Sequence, residues 1–266
     1  MKIVVFGDIH GRLEWYDAVQ QENPDLTIFL GDYVSTHEGI SADQQCGNLE
    51  DILNFKQEYP DKVILLRGNH DMQHLGYSWA ECSGLNREVQ EWMMTIKDRF
   101  LEMTQWIYVH DNIVFSHAGV SKVWMQNVGL DKVEDINTME PSEKFGFWPC
   151  KLSDYSGISA TQPPTWIRPW TLIEYSYGDY TQVVGHTAFG RHISTTYKAC
   201  ITNVNDECIK NYKSGFFYDD NSEECQSHIK HWKTTNQIWA CDAMPHQYLV
   251  IEDGKFIPQD IDIQYN

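Results

Sequence analysis

Five apolar segments of this chain are each followed at once by a small polar cluster, and this recurrence constrains the fold more than any other feature. The clusters are GDIHG (7–11), GDYV (31–34), GNHD (68–71), SHAG (116–119) and GHT (185–187). The apolar segments resemble strands, and amphipathic helical segments separate several of them. This alternation predicts an α/β layered fold, in which loops at the carboxyl ends of strands converge on one ligand site.

The predicted elements fall into two halves. In the first half, the pattern predicts strands at 2–6, 26–30 and 62–66, helices at 13–20 and 42–58, and a strongly amphipathic segment at 85–103. In the second half, it predicts strands at 106–109, 112–116, 181–187, 237–240, 247–253 and 255–258. The late, short strands indicate a second sheet packed on the first.

The bulk properties predict one domain over residues 1–266, with an irregular polar insertion around 196–236. A hydrophobic fraction of 42% is enough for a sizeable core. No run of 18 apolar residues occurs, which excludes a transmembrane helix. The first residues, MKIVVFGDIHG, have the pattern of a first strand rather than of a signal peptide, so we expect a cytoplasmic location.

The charge of the chain limits its partners. The formal net charge is -18, and an acidic surface repels nucleic acid and anionic membranes, so we expect neither as a partner. The same surface would repel phosphorylated substrates unless a local positive charge reversed the field. Bound divalent metal ions could supply that charge.

The side chains in the five clusters are those of a metal site. Asp, Asn and His offer oxygen and nitrogen ligands suited to Mn, Fe, Zn or Mg, and none of the clusters contains cysteine. The adjacent glycines allow sharp turns and close approach of a ligand. Two divalent ions about 3.5–4 Å apart clamp the attacking and leaving oxygens of a phosphoryl transfer. The clusters therefore predict a two-metal site.

In kind and order the five clusters resemble the motifs of the calcineurin-like metallophosphoesterases, specifically the bacterial and phage type of the phosphoprotein phosphatase branch. The resemblance spans most of residues 7–187. It implies a four-layered β-sandwich flanked by helices, within the α/β class. It also implies hydrolysis of phosphoesters by a metal-bridging hydroxide at a dinuclear site, most like a Ser/Thr protein phosphatase. The cofactors would be two divalent ions, Mn first, with Fe, Zn, Mg or Ni as alternatives.

The resemblance also assigns roles to individual residues. By it, the metal ligands would be Asp8 and His10 for the first ion, Asp32 bridging both, and Asn69, His117 and His186 for the second. His70 would be the general acid that protonates the leaving oxygen. Arg67 and Arg168 would bind the substrate phosphate, since a guanidinium can hold two phosphate oxygens at once. The alternative for Arg168 is a surface arginine stacked between Trp166 and Trp170.

Three positions depart from the family pattern. Ala188 stands where a second histidine follows GH in phosphodiesterase branches, which favours the phosphoprotein phosphatase branch. Ser35 and Thr36 stand where that branch has an Asp that orients the acid histidine and an Arg that grips phosphate. Asp71, directly after His70, is a candidate for the missing orienting role.

Two other functions remain open on the sequence. A hydrolase of dinucleoside polyphosphates, such as diadenosine tetraphosphate, would use aromatic residues at 147–170 to stack on a base. A non-catalytic phosphate-binding scaffold is the third reading. The expected partner is accordingly a phosphorylated substrate, either a phosphoprotein or a nucleotide.

Overall fold

Strands and helices alternate through the first half of the chain, as the sequence predicts. The computed structural model describes residues 1–35, 39–141, 147, 160–188, 190–193, 196–199, 202–204 and 237–261. The strands are β1 (Lys2–Phe6), β2 (Leu26–Phe29), β3 (Val63–Leu65), β4 (Ile107–His110), β5 (Ile113–Ser116), β6 (Thr181–Val184), β7 (Gly190–Ile193), β8 (Thr196–Ala199), β9 (Thr202–Asn203), β10 (Ile238–Ala240), β11 (Gln247–Glu252) and β12 (Lys255–Asp260). The helices are α1 (Trp15–Glu22), α2 (Ala42–Glu58), α3 (Asn69–His74), α4 (Arg87–Thr95), α5 (Lys97–Met103), α6 (Lys122–Val128) and α7 (Pro169–Tyr175).

Two five-stranded mixed sheets form the centre of the fold. The first has the order β12-β11-β1-β2-β3 and the second the order β4-β5-β6-β10-β9. β7 and β8 form a separate antiparallel pair. Within the sheets, β1, β2 and β3 run parallel, and so do β5, β6 and β10. The α/β class with two sheets flanked by helices is therefore confirmed.

The alternation of side chains along the strands builds the layers. On β1, Ile3 and Val5 join a buried cluster with Phe115 and Val183 of the second sheet. Val4 and Phe6 point to the other face, where helical residues such as Leu49 cover them. Because successive strand residues face opposite sides, one strand supplies both the core between the sheets and the core under the helices. The two sheets thus lie between helical layers.

The amphipathic segment at 85–103 forms two helices rather than one. Asn86 caps α4, its side-chain oxygen accepting from the backbone N–H groups of Glu88 and Val89. The helix ends at Ile96, whose φ of -107° and ψ of 9° leave the helical region, and α5 then starts at Lys97. The apolar period continues across this break, so periodicity alone does not reveal it.

The insertion predicted around 196–236 is described in part. Residues 196–199 and 202–203 are the strands β8 and β9, and β9 pairs with β10 at the edge of the second sheet. Residues 205–236 lie outside the described residues. Among the helices that the structure describes, none is long and apolar enough to cross a membrane.

Candidate active site

The five polar clusters meet at one edge of the two sheets. Asp8 follows β1 and His186 follows β6, 178 residues later, yet the backbone N–H of His186 donates to Asp8 Oδ1 over 2.8 Å. His117 follows β5, and its Nδ1 lies 2.9 Å from the carbonyl oxygen of Leu30, at the end of β2. Because the parallel strands of both sheets end here, their loops share one site.

Two groups of candidate metal ligands lie at this edge. The first consists of Asp8, His10 and Asp32, and the second of Asp32, His117 and His186. Within each group the ligand atoms lie within 4.8 Å of one another, and Asp32 belongs to both. Asn69 adds an amide oxygen, since its Oδ1 lies 3.0 Å from His117 Nε2. The structure thus brings together all six residues that the resemblance names as ligands.

Two of the histidines are held by backbone carbonyls. The Nδ1 atom of His10 lies 3.0 Å from the oxygen of Val34, and that of His117 lies against Leu30 as described above. A carbonyl oxygen only accepts, so each Nδ1 must carry the proton. Nε2 then points at the carboxylates, 3.9 Å from Asp8 for His10 and 3.4 Å from Asp32 for His117. This is the orientation that a metal-binding imidazole requires.

Three of the candidate ligands have unusual backbone conformations. The φ angles are 47° for His10, 52° for Asp32 and 61° for His186, all in the left-handed region that non-glycine residues rarely occupy. Such conformations persist only where the surrounding structure enforces them, and they cluster at functional sites. The loops therefore hold these side chains against a local backbone preference.

Glycines let the loops approach the carboxylates. A Cβ atom on Gly68 would lie 2.1 Å from Asp32 Oδ1, and one on Gly185 would lie 2.4 Å from Asp8 Oδ1. Any side chain at these two positions would displace a candidate ligand. The glycines of GNHD and GHT are thus required by the site rather than by a turn alone.

The electrostatics of the cluster fit a bound cation. Burial lowers the pKa of His10 to about 4 and that of His186 well below its usual range, so both rings are neutral. Burial alone would also lower the pKa of His117, but the Asp32 carboxylate raises it to about 10. An imidazolium at His117 thus balances the buried carboxylates. A divalent cation between them would supply that balancing charge instead.

The donor set also fits a metal ion. His186 Nε2 is buried and has no hydrogen-bond partner among the described residues. Asp8 and Asp32 are 3% and 1% exposed, so their charges are shielded from water. Buried carboxylates and an unpartnered imidazole nitrogen are costly in an apolar interior unless a cation binds them. Oxygen and imidazole donors without thiolate are suited to Mn, Fe, Zn or Mg.

His70 lies beside the cluster but belongs to neither ligand group. Its Nε2 is 4.0 Å from Asp32 Oδ2, and its backbone N–H donates to Asp32 Oδ1 over 2.9 Å. The side chain is 17% exposed, so one edge of the ring faces the surface of the cluster. A ring in this position can reach a group bound at the carboxylates without being a ligand itself.

The Asp71 carboxylate accepts hydrogen bonds from backbone N–H groups around the cluster. Its Oδ2 accepts from the N–H groups of Asp32 and Gly68, and its Oδ1 accepts from that of Tyr33, all within 2.9 Å. The residue is fully buried. Both carboxylate oxygens thus hold the two loops that carry Asp32 and α3, and the orienting role expected of Asp71 toward His70 stays a prediction.

Arg67 is hydrogen-bonded to residues at the end of α5. Its Nε donates to Thr104 Oγ1, and its NH2 group donates to the carbonyl oxygens of Leu101 and Thr104. The guanidinium also lies 4.7 Å from the ring centroid of Trp106. These contacts give Arg67 a structural role, because they tie the end of β3 to the end of α5. Its expected phosphate-binding role stays a prediction.

Arg168 lies at the cluster. Its NH1 group donates to Thr187 Oγ1 over 3.1 Å and to the carbonyl oxygen of His186 over 3.3 Å. The residue is half-buried. Its positive charge helps to lower the pKa of His186, after burial. A guanidinium in this place is available to an anion bound beside His186.

Two charged residues at this edge are not among the candidate site residues predicted from the sequence. Arg12 follows GDIHG directly, is 9% exposed, and donates from NH1 to the carbonyl oxygen of Asp8. Asp242 follows β10, and a Cβ atom on Gly7 would lie 2.9 Å from its Cα. Burial raises the pKa of Asp242 to about 6. A sequence signal exists for Asp242, since it lies two residues after a strand, as Asp8 and His186 do.

The aromatic residues of 147–170 divide between core and site. Phe147 is buried and stacks on Trp106 with ring centroids 4.2 Å apart. Trp166 is half-buried and meets the His186 ring edge-on at 5.7 Å. Trp148, Tyr155 and Thr36 lie outside the described residues. One aromatic wall of the site is therefore Trp166.

An Asp, His and Asn cluster of this kind, at the strand ends of two sheets, is a donor set suited to divalent metal ions. Comparison with known families agrees, because residues 1–212 match the model of the calcineurin-like phosphoesterases. The chain belongs to the calcineurin-like phosphoesterase family.

Individual relatives are more distant. A putative serine/threonine-protein phosphatase of Caenorhabditis elegans is 32% identical over 144 residues, which are 49% of this chain and 29% of that protein. The chain spans 29–39% of the curated relatives it matches.

Two solved structures share the fold. The cold-active protein-tyrosine phosphatase of a psychrophilic Shewanella aligns over 98% of this chain and 78% of that one, with a TM-score of 0.55 and 14% identity. A Saccharomyces cerevisiae protein serine/threonine phosphatase aligns over 100% and 81%, with a TM-score of 0.51 and 11% identity. At such identities the likeness shows the fold alone.

Proposed function

We propose that the protein is a phosphomonoesterase that uses two divalent cations, most like a Ser/Thr protein phosphatase. The observation that supports this most is the pair of ligand groups that share Asp32, with His70 beside them and in neither group. Bound at such a pair of sites, two divalent cations supply a hydroxide nucleophile at neutral pH and neutralise charge on the phosphoryl oxygens. Mn²⁺ is the first candidate.

The residues of the chain have separate roles in this proposal. Asp8 and His10 would hold the first ion, and Asp32 would serve both ions. The second ion would also be held by Asn69, His117 and His186. Arg168 binds and orients the phosphoryl group from the side of His186. His70 gives its Nε2 proton to the oxygen of the departing alcohol, which lets the alcohol leave uncharged.

Trp166 favours substrates that carry an aromatic ring next to the phosphate, such as dinucleoside polyphosphates. Its ring stands beside His186 at the phosphate end of the site, where it could stack on a base or a phenol ring. Dinucleoside polyphosphates and phosphotyrosine therefore compete with phosphoserine and phosphothreonine as substrates. The relative called a protein-tyrosine phosphatase makes phosphotyrosine a natural member of the comparison.

A substrate panel tests the proposal. The purified protein with Mn²⁺ is expected to hydrolyse p-nitrophenyl phosphate, and EDTA is expected to abolish the activity until Mn²⁺ is restored. Phosphoserine, phosphothreonine and phosphotyrosine peptides, a dinucleoside polyphosphate and a cyclic dinucleotide are then compared by kcat/KM. Phosphate release that persists in EDTA would contradict the metal role. A preference for the dinucleoside polyphosphate would replace the first substrate class with the second.

The two arginines make a matched pair. We expect Arg168→Ala to lower kcat/KM by about 10- to 100-fold, because a charged hydrogen bond to phosphate is worth about 1.5–3 kcal/mol. Arg67→Ala is expected to keep kcat/KM within about 3-fold but to lower the free energy of unfolding by about 2–4 kcal/mol, since it breaks buried hydrogen bonds. Steady-state kinetics and urea unfolding separate the two. Equal losses of kcat/KM in both variants would contradict the assignment.

A further inference from the structure

We propose that Cys82 is a positioning residue for the imidazole of His70; this rests on the general-acid role proposed above. Cys82 Sγ lies 3.6 Å from His70 Nδ1, within hydrogen-bond reach for sulfur. The other ring nitrogen, Nε2, faces Asp32 Oδ2 at 4.0 Å. The sulfur thus contacts the ring on the side opposite to the reacting atom, where an orienting group belongs.

The same sulfur is tied to a candidate metal ligand. Asn69 Nδ2 donates to Cys82 Sγ over 3.5 Å, while Asn69 Oδ1 lies at His117. An amide that donates to sulfur has its NH2 end defined, which turns its oxygen toward the second ligand group. Cys82 therefore lies between the general acid and the second metal site and contacts both.

Three hydrogen bonds hold the segment that carries Cys82, residues 81–86. The backbone N–H of Cys82 donates to the side-chain oxygen of Gln73, on α3. The backbone N–H of Asn86 donates to His74 Nε2, and His74 Nδ1 donates in turn to the carbonyl oxygen of His70. The segment is thus fastened to the helix on which His70 lies.

The third hydrogen bond to the 81–86 segment is made by Ser35, in the loop after β2. Ser35 Oγ donates to the carbonyl oxygen of Gly84, and Ser35 N donates to Gln45 Oε1 on α2. The hydroxyl is therefore used to fix the 81–86 segment. With both ends of the segment fixed, the position of Cys82 Sγ relative to His70 is set by the fold.

The physical reason for such a contact is the geometry of proton transfer. An imidazole on a helix can rotate about two side-chain bonds, and only a small range of orientations points Nε2–H at a leaving oxygen. A sulfur at Nδ1 restricts that range. A general acid contributes about 10²–10⁴-fold, and losing part of its orientation is therefore expected to cost about 10-fold.

The test varies the acidity of the leaving group. With Mn²⁺, Cys82→Ala is expected to lower kcat on phenyl phosphate by about 10-fold and on p-nitrophenyl phosphate by less than about 3-fold. p-Nitrophenol is a stronger acid than phenol and leaves without being protonated. Loss of general-acid catalysis therefore has little effect on kcat with p-nitrophenyl phosphate. KM is expected to stay unchanged. Metal content is also expected to stay near the wild-type value, because Asp32, His117 and His186 form the second ligand group without help from Cys82. Cys82→Ser, which keeps a small polar group, is expected to restore part of the loss on phenyl phosphate.

A control variant and a spectroscopic measurement complete the test. Cys46→Ala removes another free, partly buried thiol, on α2, and is expected to match the wild type. In metal-free protein with ¹⁵N-labelled histidine, the Nδ1 resonance of one ring is expected to shift in Cys82→Ala. The resonance belongs to His70 if it is missing in His70→Asn. A merely structural role would leave this resonance unmoved.

The outcomes separate this proposal from the one on which it rests. Equal losses on both aryl phosphates, or a loss of metal content in Cys82→Ala, would overturn it, because the thiol would then act through folding or through Asn69. If His70→Asn shows the leaving-group dependence and Cys82→Ala does not, only the role of Cys82 falls. If His70→Asn shows none either, the general-acid assignment fails, and the role of Cys82 falls with it.

Discussion

Replacing Asp32 by Asn is expected to remove stable metal binding and to lower kcat/KM by about 1,000-fold or more. Asp32 is the one residue that both groups of candidate ligands contain. The amide keeps the shape of the side chain and its oxygen for the backbone N–H of His70, so the fold should survive. What is lost is the negative charge that two cations would share.

Two measurements check the Asp32→Asn prediction without relying on turnover. Metal content after dialysis is expected to fall in the variant. In the wild type, Mn²⁺ is expected to raise the melting temperature, since a ligand at 100 times its Kd stabilises the folded state by about 2.7 kcal/mol. That rise should vanish in Asp32→Asn and remain in Asp61→Asn, an exposed carboxylate between α2 and β3. A wild-type rise in both variants would rule out Asp32 as a shared ligand.

Much of the metal cluster could be predicted from the sequence, because its position depends on local signals. Asp8, Asp32 and His186 each follow an apolar strand within three residues. The carboxyl ends of parallel strands meet by topology, so strand prediction alone brings these residues together. The same holds for α2, whose buried face follows from its helical period.

The hydrogen-bond partners of Arg67 and Asp71 could not be predicted, because these partners are distant in the chain. Arg67 donates hydrogen bonds to Thr104 and Leu101, which lie 37 and 34 residues away. The partners of its guanidinium therefore depend on where α5 ends. Asp71 binds backbone N–H groups of the loop after β2, 38 and 39 residues earlier. A polar residue in a motif can serve a ligand or the loop itself, and only tertiary contacts decide.

Cys82 and Asp242 also could not be placed at the site from the sequence, for two different reasons. Cys82 has no local sequence pattern, since hydrogen bonds to Gln73 and from Ser35 set the position of its segment. Asp242 does follow a strand, but no glycine or histidine lies within three residues of it. Its place beside Asp8 depends on the parallel pairing of β10 with β6, a non-local feature that periodicity does not encode.

His70→Asn is expected to lower kcat by about 100- to 10,000-fold with little change in KM, the range typical of a lost general acid. Metal content should stay near the wild-type value, because His70 belongs to neither ligand group. The free energy of unfolding should change by less than about 1 kcal/mol, since no buried backbone group loses its partner. Steady-state kinetics, metal analysis and urea unfolding of one preparation give all three values.

Asp71→Ala is the informative comparison for His70→Asn. The two residues are neighbours in the chain, but the Asp71 carboxylate is buried among backbone N–H groups whereas the His70 ring is partly exposed. Asp71→Ala leaves three buried backbone N–H groups without an acceptor, at about 1–3 kcal/mol each, so a loss of at least about 3 kcal/mol of unfolding free energy is expected. A stable Asp71→Ala with the turnover defect of His70→Asn would make Asp71 a partner in proton transfer. Loss of metal from His70→Asn would make His70 a ligand and leave the general acid to be found among the other groups at this edge.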